Sequence, residues 1–78
     1  MFIKYIMMDK KEFLVRLGNQ IVKIREKKGW SQAELARNCD KERQSIERLE
    51  NGKINPSAFY LQQVAEGLGV RVKDLLDF

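Results

Sequence analysis

Apolar residues recur along this chain at three- and four-residue steps in five short groups, the spacing that puts side chains on one face of a helix. Leu14, Leu17, Ile21 and Ile24 form the first group. Asp9-Lys10-Lys11-Glu12 stands before it as a capping box, with Asp9 accepting backbone N–H groups and Glu12 reaching back. Lys27-Lys28 suit a C-terminus and Gly29 a left-handed closing residue, so the first helix is predicted from Lys10 to Lys28. Ser31-Gln32-Ala33-Glu34 is a second capping box, and it opens a short helix that turns Leu35 and Ala36 inward and ends near Asn38. Asp40 tolerates positive φ better than most residues and marks the turn that follows.

A third helix is predicted from Glu42 to Glu50, with Ile46 and Leu49 inward, and Asn51-Gly52 ends it. After a loop from Lys53 to Pro56, Ser57 caps a fourth helix that carries Leu61, Val64, Ala65 and Leu68. Gly67 lies inside that pattern at a cost of about 1 kcal/mol relative to Ala, and Gly69 is the better terminator. Val72, Leu75 and Leu76 belong to a fifth helix ending near Asp77. The expectation is an all-α fold of five helices in one domain, residues 9–78, with residues 1–8 set apart as an N-terminal arm. Phe2 to Met8 is β-prone and reads three ways: an arm touching a dimer partner, a flexible end, or the product of an upstream start codon, with Met7 or Met8 the true start.

Composition removes several function classes. The chain has no His and a single cysteine, Cys39, so a zinc site, a His general base and an intrachain disulfide are all excluded. Cys39 reads as a small core residue. Ser45 has no base at a recognisable spacing, and the carboxylates sit at caps or on helix surfaces. No catalytic residue, metal or other cofactor, and no small-molecule ligand, is expected. No apolar run suits a membrane span or a secretory signal, and the expected location is the reducing cytoplasm. Net charge is +4, but it is unevenly placed: residues 1–30 carry +5 and residues 31–52 carry −1. A basic balance is mild evidence for a polyanionic partner.

Two short helices so close in sequence cross steeply, and the second is too polar to be wholly buried, as suits a helix presented to the major groove. Arg43, Gln44, Glu47 and Arg48 lie on the side opposite Ile46 and Leu49. Arg can grip guanine, Gln adenine, and Glu the amino group of cytosine. Alternatively, this is a solvated face with loose ion pairs, and Glu47 serves only to orient Arg43 or repel wrong sites.

Leu17-Gly18, Ile24-Arg25, Gly29, Ser31-Gln32, Glu34-Leu35-Ala36, Ile46, Leu49-Glu50, Gly52-Lys53, Asn55-Pro56-Ser57 and Leu68-Gly69-Val70 together resemble the Xre-type family, the helix-turn-helix domain of lambdoid phage repressors and Cro proteins. The resemblance implies a compact, lambda-repressor-like five-helix domain with the helix-turn-helix at helices two and three. It implies base contacts from Arg43, Gln44 and Arg48, and phosphate contacts from Gln32, Asn51 and Lys53. Lys27 and Lys28 are weaker phosphate candidates. It pairs Arg25 with Glu50 as a structural ion pair, and it makes Trp30 a packing residue where the family has an aliphatic one. Asp40 departs from a usual Gly, Lys41 from a usual aliphatic, and Arg71 from a usual Ser or Thr cap.

The function expected is a sequence-specific transcriptional regulator, most simply a repressor, that binds a palindromic operator in double-stranded DNA as a homodimer. The dimer is expected through helix five, with or without the arm, and Phe59, Tyr60, Leu76 and Phe78 supply spare apolar surface. The rival readings are an antitoxin or other protein-interaction module, and a restriction–modification controller protein.

Overall fold

The computed structural model describes residues 8–78, so the arm reading of residues 1–8 lies almost wholly outside it. Five helices follow in order: α1 (Lys10–Lys27), α2 (Gln32–Asn38), α3 (Arg43–Glu50), α4 (Ala58–Leu68) and α5 (Val72–Leu75). No strand occurs among the described residues.

Local chemistry accounts for where each helix starts. Asp9 Oδ1 accepts the Glu12 N–H at 2.8 Å. The return bond expected from Glu12 is absent, because its carboxylate pairs instead with Arg16, one turn on, at 3.0 Å. Ser31 makes the full box: its hydroxyl accepts the Glu34 N–H at 3.1 Å while Glu34 Oε1 accepts the Ser31 N–H at 2.7 Å. Ser57 caps α4 through the Tyr60 N–H at 3.0 Å. At α5 the missing Ser or Thr is offset by Asp74, whose Oδ2 accepts the Arg71 N–H at 2.9 Å.

The first four helices stop in one way. In each, a left-handed residue (Gly29, Asp40, Gly52 or Gly69) closes the last turn. The residue after it donates its N–H five positions back, at distances from 2.8 to 3.3 Å. This satisfies carbonyls that would otherwise be orphaned at the helix end.

The core is the inward stripe of every helix. Leu17, Ile21, Leu35, Ile46, Leu49, Val64, Leu68 and Leu75 are fully buried. Two glycines set how closely the helices approach. A Cβ on Gly18 would lie 2.3 Å from the Glu50 carbonyl oxygen, so α1 rests on the last turn of α3 backbone to backbone. A Cβ on Gly67 would lie 2.7 Å from Cys39 Cβ, which explains a glycine inside α4 at a helix-propensity cost. From the middle of α1, Gln20 Nε2 donates to the Asp74 carbonyl at 3.0 Å. Phe13 meets Phe78 edge to face at 5.3 Å, holding α5 against α1.

Candidate nucleic-acid interface

The turn between α2 and α3 is built from residues 39–42. Asp40 takes φ of 56°, the conformation a Gly would otherwise supply. Lys41 lies where an aliphatic residue would cover α4, and it covers α4 by another route. Its Nζ donates to Gln63 Oε1 at 2.6 Å and sits 4.6 Å from the centre of the Tyr60 ring. Both departures therefore preserve the turn. Cys39 is buried as expected, with its thiol donating to the Leu35 carbonyl at 3.1 Å. Desolvation pushes that thiol's pKa up, so it carries little thiolate.

Glu42 precedes α3 without a side-chain cap bond, so the N–H groups of the first turn are not taken by that side chain. Ile46 and Leu49 pin one side of α3 into the core. On the other side Arg43, Gln44, Glu47 and Arg48 are all exposed. None of the four has a side-chain hydrogen bond or ion pair with another described residue, and Glu47 pairs with neither arginine. The face is a row of two guanidinium groups, an amide and a carboxylate on a helix fixed in the core, all uncommitted.

Of the phosphate candidates, Lys27 and Lys28 lie at the end of α1, and Gln32, Asn51 and Lys53 lie near the C-terminal end of α3. Glu50 lies there with its side chain 2% exposed. Arg25 grips it with Nε to Oε2 at 2.7 Å and Nη2 to Oε1 at 3.1 Å, and its Nη1 donates to the Trp30 carbonyl at 2.7 Å. The fork holds Arg25 above its ordinary pKa, chiefly through the hydrogen bond to Glu50. Gln32 joins this cluster, its Nε2 donating to Glu50 Oε1 at 2.8 Å. The Arg25–Glu50 pair is the one the family resemblance implies, whereas the Gln32 link has no signal in the sequence, which gives Gln32 only an outward role. One amide hydrogen is now spent inward and the other remains for a ligand.

Asn51 and Lys53 are exposed just past α3. Lys27 and Lys28 are exposed at the end of α1, with Lys28 Nζ 5.1 Å from the centre of the half-buried Trp30 ring. Trp30 packs against the core, as expected.

A short helix joined to a second by a tight turn and by the Gln32–Glu50 bond, with an uncommitted polar face on that second helix, defines a helix-turn-helix unit. A family model described as helix-turn-helix matches residues 21–75, and the chain belongs to that family. It is 40% identical over 62 residues to the control protein C.BamHI of Bacillus amyloliquefaciens, covering 78% of this chain and 76% of that one. It is 37% identical over 62 residues to the control protein C.MunI of a Mycoplasma species, covering 78% and 84%. Among solved structures, the restriction-modification controller protein C.AhdI of Aeromonas hydrophila superposes with a TM-score of 0.82 at 28% identity, covering 87% of this chain and 99% of that one.

Proposed function

We infer that this protein is a DNA-binding transcriptional regulator that reads a palindromic operator as a homodimer. The observation that carries the reading is the row Arg43, Gln44, Glu47 and Arg48, exposed and unpaired on a helix whose opposite side is fixed in the core. The core fixes the helix backbone that carries these side chains, so their register along the major groove is set before any base is read. Arg43, Gln44 and Arg48 make the attractive contacts, and Glu47 accepts from cytosine or rejects wrong sites. Gln32, Asn51, Lys53, Lys27 and Lys28 hold the phosphates and set register. Self-association runs through α5 and the apolar residues near it. The protein works without a cofactor or catalysis, and it acts in the cytoplasm. No helix among the described residues is long and apolar enough to cross a membrane.

Selection of bound sequences from random DNA, at a stated salt concentration, tests this reading. An enriched, two-fold symmetric motif is expected. No enrichment across moderate salt removes the sequence-reading role. With the motif in hand, Gln44→Ala relaxes one base position per half-site at a cost of about 1–3 kcal/mol. Equal weakening on all sequences takes that role from Gln44.

Among regulators of this size, we favour a restriction–modification controller over an antitoxin, on the likeness to three controller proteins. An adjacent methyltransferase gene is the expected neighbour, and an adjacent toxin gene reverses the preference.

A further inference from the structure

The first turns of α1 and the loop after α3 face each other across a cleft of about 420 Å³. Lys10, Lys11, Lys53 and Asn55 form its exposed rim, over buried Leu14 and half-buried Ile54. No carboxylate lines it. The two nearest in sequence are engaged elsewhere: Asp9 caps α1 and Glu12 pairs with Arg16. None of the three lysines has an ion-pair partner among the described residues. Three exposed ammonium groups from two elements thus border one cleft, a local excess of positive charge that favours an anion over a cation.

The cleft is also rigid. A Cβ on Gly52 would lie 3.0 Å from Val15 Cα, so the turn after α3 rests directly on the backbone of α1. The Lys53 N–H donates to the Arg48 carbonyl at 2.9 Å, which fixes the loop to the last turn of α3. An anion seated among these lysines is therefore held in fixed relation to the residues proposed to read bases.

We propose that this cleft grips DNA backbone phosphate beside the bases read by α3, with Lys10 and Lys11 as the contacting groups added to Lys53. The inference rests on the DNA-reading function above. Its site lies about 25 Å along α1 from Lys27 and Lys28, at 1.5 Å of rise per residue, so it engages a different stretch of backbone from theirs.

The test is a salt titration of the full chain on a duplex carrying the selected motif. Each phosphate contact adds about 0.9 to the slope of log affinity against log salt. The double variant Lys10→Gln, Lys11→Gln is expected to lower that slope by about 1–2 and to weaken selected and random DNA equally. The selected motif and the unfolding midpoint stay as in the unsubstituted protein. Lys23→Gln, one exposed charge elsewhere on α1, leaves the slope in place. A double variant with the original slope overturns the cleft proposal, as does a Lys23→Gln variant that loses as much per charge. If the unsubstituted protein binds no DNA, the functional reading itself fails, and that is seen before any variant is compared.

Discussion

Glu50 is a buried carboxylate at the heart of the surface proposed to meet DNA, and it is tolerated because three donors surround it. Arg25 supplies two of them and Gln32 the third. Removing one member of a buried pair leaves the other charge unsolvated. Arg25→Ala is expected to cost about 3–5 kcal/mol, read as a lower midpoint in denaturant, with no change in the motif selected by the folded fraction. Glu34 is only half-buried. Its bonds to Ser31 hold its pKa below the ordinary carboxylate range. A depressed pKa means that the folded state favours the ionised form, so this stabilisation is present above the unfolded pKa and lost as pH falls through the folded one. The stability gap between the unsubstituted protein and Glu34→Gln is expected to be open at neutral pH and to close on acidification below the ordinary carboxylate range. Denaturant unfolding across pH measures it, and a gap independent of pH takes the cap's charge out of the account.

Helices were the most legible level of this chain, because their signals are local. Asp9, Ser31 and Ser57 cap the helices they precede in sequence, and three of the four left-handed stops are glycines. Side-chain links between elements were not legible. The Lys41–Gln63 and Gln32–Glu50 bonds join residues 22 and 18 apart in sequence, and they exist only once the angle between helices is known. Gly18 and Gly67 read from sequence as motif or propensity and turn out to be contact points. Gly18→Ala is expected to cost about 1–3 kcal/mol, since the obstructing atom is backbone and cannot rotate away. The turn gives a second prediction at this scale. Asp40 holds a conformation that costs a β-carbon-bearing residue about 1 kcal/mol, which its short polar side chain offsets in part. Asp40→Ala is expected to lower the thermal midpoint and Asp40→Gly to keep or raise it, so the two variants moving together rules out the backbone explanation.

Across the whole molecule, charge and apolar surface divide the work. The basic excess lies in the first thirty residues, while residues 31–52, which hold α3, are slightly acidic. Under the function proposed, long-range attraction and sequence discrimination belong to different segments, and raising salt is expected to weaken binding more than it blurs preference. Phe59 is 69% exposed, so the isolated fold gains little from it. Phe59→Ser is expected to change unfolding by no more than about 0.5 kcal/mol, yet to weaken self-association in sedimentation if the dimer covers this surface. An unaltered association constant places Phe59 outside the interface. The family could be recognised from many coincident positions, whereas the partner surface could not, because a dimer face is defined by what covers it.

The side chains of Arg43, Gln44, Glu47 and Arg48 bond to nothing else in the described fold. Exposed positions of this kind change stability by only about half a kcal/mol when replaced. The four residues can therefore be rewritten together without renegotiating the core. A gene duplicate of this regulator could drift to a new operator in a few substitutions while staying folded throughout. Transplanting these four side chains from a relative should carry that relative's half-site preference with them.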